Sequence, residues 1–239
     1  MDEDSATSGR AGNRAVRYMA KRRKVGNLLA LALLSLLGQQ PMYPYEMAQT
    51  LRARGKDQSM KINWGSLYTV VQNLEKNGFI AAVATEREGR QPERTTYQIT
   101  QAGKAELADW LRELVSVPEW VPTPFEAALS EAAGLGPDDL LNLLGQRLTA
   151  LDAANSGLRE ELDGLVRLMP RLLLIELEYK LAVRLAEASW VRRVVTEIAD
   201  GTFGDLDLWR RMIETGEVPP EIRELDEQAR KRVAGSGSA

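Results

Sequence analysis

Between Ile62 and Ile80 the chain reads Ile-Asn-Trp-Gly-Ser-Leu-Tyr-Thr-Val-Val-Gln-Asn-Leu-Glu-Lys-Asn-Gly-Phe-Ile. This stretch carries the residue types best placed for specific chemistry. Leu67, Val70, Val71 and Leu74 recur at the i, i+3, i+4, i+7 spacing of a buried helix face. Trp64, Ser66, Tyr68, Thr69, Gln72 and Asn73 are left on the opposite side. Hydroxyls that donate to phosphate, and an amide that both donates and accepts at a base edge, suit a helix lying in a DNA groove. A plain amphipathic core helix has the same period, so the neighbouring segments have to decide.

Other chemistries are poorly served. The 239 residues include no His and no Cys. That removes the common zinc sites, the Ser-His and Cys-His nucleophilic pairs and imidazole acid-base work. No Gly-rich phosphate loop is recognisable, so an enzyme would have to rely on carboxylates, Lys or Tyr. The chain is therefore not expected to be an enzyme, and neither a cofactor nor a metal site is expected. Without Cys there is no disulfide framework and no argument for secretion.

The longest apolar run, Leu28 to Leu37, falls well short of the roughly 20 residues a membrane span needs. Cations ahead of a short apolar run also occur in signal peptides. Here, though, a long polar segment precedes them, and Gly38-Gln39-Gln40-Pro41 is a poor cleavage site. No membrane association and a cytoplasmic location are expected.

Charge is unevenly spread. Through Val117 there are 17 Lys and Arg against 12 Asp and Glu, a balance of +5, so the net −3 leaves −8 for the remainder. A basic front and an acidic rear fit a nucleic-acid binder joined to something else. Arg10, Arg14, Arg17, Lys21, Arg22, Arg23 and Lys24 place seven cations in fifteen residues with no acid among them. They read either as a solvated tail or as an arm adding salt-dependent phosphate contacts.

Three helices must position the polar face. The first runs from about Asn27 to Leu37 and is apolar nearly all round; Gly38-Gln39-Gln40-Pro41 breaks it. The second starts near Tyr43, with Pro44 in its first turn, Met47, Ala48 and Leu51 inside and Gly55 at its end. The third is the helix above, with Asn63 as N-cap. Ile80 to Glu86 reads as a strand, Glu88 to Pro92 as a turn and Thr95 to Ile99 as a returning strand. Thr100 then caps a helix carrying Leu107, Trp110, Leu111 and Leu114. Three helices followed by a two-stranded wing make a winged helix-turn-helix.

Beyond this the chain reads as wholly helical. Residues 1–24 are expected to form a flexible basic arm, 25–117 the winged domain, and 118–124 a Pro-rich linker. Residues 125–230 are expected to form a helical dimerisation and effector domain, with 231–239 as a flexible tail. Inside it, long helices are expected from Pro137 to about Leu168 and from about Arg171 to Ala199, and a last one from Leu206 to Glu214 ahead of a charged tail. In the second long helix Leu174, Leu177, Leu181, Leu185, Ala188, Val191, Val195 and Ile198 step by three or four, as a coiled-coil seam does. The stripe suits either an internal core or a dimer interface; two long amphipathic helices in a small domain favour dimerisation, through Leu174, Leu177, Leu181, Leu185 and Trp190.

Three blocks resemble the PadR family of bacterial transcriptional regulators. They are Pro41-Met42-Tyr43-Pro44-Tyr45-Glu46-Met47, then Gly65-Ser66-Leu67-Tyr68 running to Leu74-Glu75-Lys76-Asn77-Gly78-Phe79-Ile80, and Arg94-Thr95-Thr96-Tyr97-Gln98-Ile99-Thr100-Gln101-Ala102-Gly103. They cover about the first 115 residues; the helical remainder is similar to the family's C-terminal dimerisation domain by pattern alone. The resemblance implies a homodimer that binds an inverted-repeat operator in double-stranded DNA, usually as a repressor and often released by a small-molecule effector. Trp64 stands where the family often has Pro, and Tyr43 where it often has His or another polar residue, so operator preference does not carry over. An activator, or a helical interaction module using its winged domain for a protein partner, is the alternative.

On this reading the DNA-binding residues are Tyr45, Asn63, Trp64, Ser66, Tyr68, Thr69, Gln72, Arg87, Arg90 and Arg94. Gln72 is the candidate for a base edge. Tyr68 either enters the groove or packs its ring on the wing, and Tyr45 either reaches a phosphate or is core. Gly65 permits a close approach of backbone. The three arginines surround the wing turn and suit phosphates or the minor groove, diluted by Glu86, Glu88 and Glu93. Trp110, Trp120 and Trp190, with Trp209, are candidate effector linings, or else core and interface anchors.

Overall fold

The computed structural model describes residues 23–56, 60, 62–86, 94–119 and 121–236. The chain divides into two compact units, residues 1–120 and 121–239.

In the first unit, Asn27 caps α1 (Leu28–Leu37), its side-chain oxygen accepting from the Leu29 N–H at 2.7 Å. α1 is buried on almost every side, as its lack of polar residues requires. α2 (Pro44–Ala53) starts with Pro44, whose missing N–H costs nothing in a first turn, and buries Met47, Ala48 and Leu51. The third helix begins differently from the expectation: Trp64–Ser66 form a 3-10 turn, and α3 proper is Leu67–Lys76. The reason is local. Asn63 Oδ1 accepts from the Gly65 N–H at 3.0 Å, and the Ser66 hydroxyl donates to the Asn63 carbonyl at 2.7 Å, which tightens the first turn. Gly65 permits this, because a Cβ there would stand 3.2 Å from that same Asn63 oxygen.

Leu67, Val70, Val71 and Leu74 are all buried against α1 and α2. α3 ends at Asn77-Gly78, where Gly78 takes φ +73° to turn the chain into the wing. The wing strands β1 (Ile80–Glu86) and β2 (Arg94–Ile99) pair antiparallel from Ile80↔Ile99 to Glu86↔Arg94, with an irregularity between Ala82 and Ala84. Met42 adds a bridge to Tyr97 through hydrogen bonds of 3.0 and 2.9 Å, tying the start of the helix-turn-helix to the wing.

α4 (Gln101–Ser116) is capped by Thr100, whose hydroxyl accepts from the Gly103 N–H at 3.0 Å and donates to the Gly78 carbonyl at 2.6 Å. Gly103 lies hard against the wing entrance: a Cβ there would stand 2.0 Å from the Phe79 carbonyl oxygen. Trp110 is 5% exposed and belongs to this core.

In the second unit a Thr123–Glu126 capping box starts α5 (Pro124–Ser130), and a 3-10 turn at Ala132–Gly134 follows. α6 (Pro137–Leu165) and α7 (Ile175–Ala199) pack together as a helical hairpin, joined through a 3-10 turn at Arg171–Leu173. α8 (Leu206–Thr215) closes one end of it, with the Trp209 indole N–H donating to the Leu135 carbonyl at 2.7 Å.

The expected dimer seam of α7 is largely turned inward. Leu174, Leu181, Ala188, Val191 and Ile198 are buried within the chain's own fold, so Leu174 and Leu181 are closed to a second chain. A stripe of small and branched apolar residues at helical spacing fits an internal partner as well as an external one, and α6 is the partner nearest in sequence. Leu177 is half-buried, whereas Leu185 and Trp190 are exposed. The charged segment after α8 is also not simply tail: α9 spans Pro220–Ser236 and takes in most of the segment from 231 expected to be flexible. Pro220 opens it, and Glu227 precedes Lys231 by four residues, a pairing that supports an exposed helix. Asn155, on α6, is 3% exposed, and neither amide atom has a protein partner.

Candidate nucleic-acid interface

With one side of α3 fully buried, its other side is left to solvent. Tyr68 is 62% exposed, and Thr69, Gln72 and Asn73 are exposed beside it. Tyr68 thus stands outward on the helix. Tyr68 and Gln72, four residues apart, form an outward stripe on α3, and half-buried Trp64 stands at its head in the 3-10 turn, packed against the core. Asn63 and Ser66 are engaged in shaping the first turn, so they act on the stripe by setting where α3 begins. Tyr45 is 57% exposed in the first turn of α2, which excludes the core reading.

The wing contributes less that can be described. Arg87 and Arg90 lie outside the described residues. Arg94 is exposed at the start of β2, with its guanidinium carbon 5.4 Å from the centre of the Tyr43 ring. That places a cation beside the N-cap of α2, at the junction the Met42–Tyr97 bridge forms. Arg94 and Tyr43 are brought together only by folding.

Behind the stripe, Tyr97 of β2 supports α3. Its phenol faces the Glu75 carboxylate, and its pKa is raised, first by burial and then by the negative charge and hydrogen-bonding of Glu75. Sequence reasoning saw Tyr97 only as a strand residue. The contact joins a strand residue to a helix residue 22 positions earlier, and no periodicity encodes such a pair.

Arg23 departs from its expected place in the basic arm. Its buried guanidinium pairs with Glu106 at 2.7 Å, with Asp109 at 3.3 Å and with Glu113, and lies 5.2 Å from the centre of the Trp110 ring. Burial alone would lower its pKa, but the hydrogen bonds and charges of Glu106 and Glu113 outweigh it and the pKa is raised. Arg23 is thus an anchor at the base of the arm, not a free cation. The remainder of the arm, residues 1–22, lies outside the described residues. Among the described residues no group of carboxylates is arranged to hold a metal ion.

The effector candidates separate in the same way. Trp110 is core, and Trp120 lies outside the described residues. Trp209 is tied to backbone carbonyls, and Trp190 meets Phe125 edge-to-face with ring centres 6.1 Å apart. Phe125 also lines an opening of about 420 Å³ with Thr123, Pro124, Ala128, Arg147 and Glu187. Arg147 crosses the Phe125 ring with its guanidinium carbon 3.6 Å from the centre and is hydrogen-bonded to Glu187.

A buried three-helix core, a two-stranded wing and a polar helix face turned outward define a winged helix-turn-helix protein with a helical C-terminal region. Residues 33–109 match the model of the transcriptional regulator PadR-like family. Among solved structures it is similar to Bacillus subtilis PadR in complex with operator DNA, at 24% identity and TM-score 0.60, covering 72% of this chain and 99% of that one. It is also similar to the same protein in complex with p-coumaric acid, at 21% identity and TM-score 0.61 over the same shares. A PadR-like regulator from Bacillus cereus, BC1756, matches at 15% identity and TM-score 0.51, again over 72% and 99%. At these identities the likeness establishes the fold. No curated protein matches the chain.

Proposed function

We propose that this chain is a cytoplasmic, sequence-specific transcriptional repressor that binds an inverted-repeat operator as a homodimer and is released by a small-molecule effector. The observation that carries the proposal is the outward stripe of α3. Tyr68, Thr69 and Gln72 are exposed on a helix whose other face is wholly consumed by the core. A face spent on aromatic, hydroxyl and amide groups is suited to phosphate oxygens and base edges. Tyr45, Trp64 and Arg94 are proposed to add contacts beside it, and Asn63 and Ser66 set its start. Arg87 and Arg90 are proposed as wing contacts from the sequence.

The homodimer is supported by what α7 leaves uncovered. Ile175, Tyr179, Val183, Leu185 and Trp190 are all exposed, a quantity of apolar surface that an isolated helical hairpin does not need. Among the described residues no helix is long and apolar enough to cross a membrane. The effector is proposed to be small and aromatic and to enter the opening beside Phe125, with Trp190 supporting its wall. B. subtilis PadR was solved with p-coumaric acid, a ligand of that chemistry. Residues 25–117 would act as the reading head and 125–230 as the dimerising and sensing part.

The test is a footprint of the purified protein on the DNA upstream of its own gene. Two protected half-sites about one helical turn apart, or a small multiple of it, are expected for a symmetric dimer. Absence of protection at low salt would sink the proposal.

A further inference from the structure

Arg52 lies outside the DNA-facing set that the sequence suggested, yet its guanidinium lies over Trp64 at the head of the α3 stripe. It stands exposed in the last turn of α2, and its guanidinium carbon is 4.4 Å from the centre of the Trp64 ring. Attraction between a guanidinium and an indole face is appreciable within about 6 Å. Trp64 is itself half-buried and packs against the core of the first unit, so the platform does not move with solvent.

Two other cations of the first unit are engaged elsewhere. Arg54 donates to Gln39 at 2.8 Å, and Arg23 is enclosed by three carboxylates. Among the described residues Arg52 has no carboxylate partner; stacking on Trp64 is its one strong contact. Stacking uses the face of the guanidinium and leaves its edge, with a fork of N–H donors, open to solvent. A planar fork held rigid beside a recognition helix loses little rotamer freedom on binding a pair of oxygens or nitrogens.

We propose that Arg52, held over the Trp64 ring, is a bidentate DNA contact at the N-terminal end of the recognition helix. The inference rests on the DNA-binding reading above. It also gives Trp64 a role: an aromatic platform in the first turn of the helix fixes a cation that a proline at the same place would leave loose. The fork fits two acceptor pairs on DNA, the oxygens of a phosphate and the O6/N7 edge of guanine.

The test compares the full-length protein with Arg52→Met, Arg52→Lys, Trp64→Leu and the Met/Leu double variant, on the protein's own upstream DNA over a salt series. Arg52→Met is expected to weaken binding by roughly 5- to 100-fold. Arg52→Lys keeps the charge but not the fork, and is expected to recover only part of that loss. Trp64→Leu should weaken binding as well, and the double variant should bind no worse than the weaker single, because the two act as one unit. A phosphate contact lowers the salt slope by about one unit on every sequence. A guanine contact confines the loss to sites carrying that guanine, and replacing the base erases the difference.

If Arg52→Met binds with unchanged affinity, slope and base preference, or if Arg52→Lys binds like the unaltered protein, the inference falls. Thermal melting of the free variants separates contact from scaffold: loss of binding at an unchanged melting temperature supports the contact. If the unaltered protein protects no DNA, the DNA-binding reading itself has failed.

Discussion

Gln72 is the residue on which base reading turns, because its amide can donate and accept at once, and it stands exposed beyond Tyr68 on the same stripe. Gln72→Ala should relax discrimination at one operator position by roughly 1–3 kcal/mol while leaving the others unchanged. Binding to a panel of single-base operator variants checks this; an even loss across the panel would recast Gln72 as a backbone contact. Tyr97 makes a second prediction at this scale. Its pKa is raised in the folded state, so the folded protein holds the phenolic proton more tightly than the unfolded chain does. That contribution is complete below the ordinary tyrosine value of 10.0 and is lost as pH rises through the raised value. Urea unfolding at a series of pH values should show stability falling above about pH 10 in the unaltered protein, and less steeply in Tyr97→Phe.

Among the elements, the join between α4 and the wing is the least tolerant. A Cβ on Gly103 would collide with the Phe79 carbonyl oxygen at 2.0 Å and approach Ile99 at 2.8 Å. Backbone cannot step aside as a flexible side chain can, so Gly103→Ala should cost about 3 kcal/mol or more in urea unfolding. Gly145→Ala is the matched contrast, for a Cβ there meets nothing within 4 Å in the interior of α6. It should be neutral to stabilising, by about 0.5–1 kcal/mol. The elements themselves were largely legible in sequence. Leu67, Val70, Val71 and Leu74 declare the inner face of α3 by period alone, and Asn77-Gly78 declares its end, since few residues other than glycine turn readily at φ +73°. The 3-10 start of α3 was less so, because it depends on which oxygens Asn63 and Ser66 choose.

For the whole molecule, the untouched apolar face of α7 makes the sharpest prediction. Tyr179 is 72% exposed and Val183 48%. A carboxylate there would be taken out of water against the apolar face of a second chain, at a cost of about 3 kcal/mol. Val183→Glu should therefore shift the protein from dimer to monomer in analytical ultracentrifugation and weaken operator binding with it; an unchanged mass would remove this face from the interface. Sequence alone determined the order of the main helices and wing through α8, the winged-helix class, and the lack of His and Cys. These follow from local period, turn residues and composition, and such signals need no partner in space. Only the tertiary structure decided which side of α7 is core, that Arg23 is clamped by α4, that Trp110 is core, and that Arg52 stacks on Trp64. Each of those outcomes depends on residues far apart in sequence meeting across a packed interface. A leucine stripe or a cationic run looks the same whether its partner is its own chain, another chain or water.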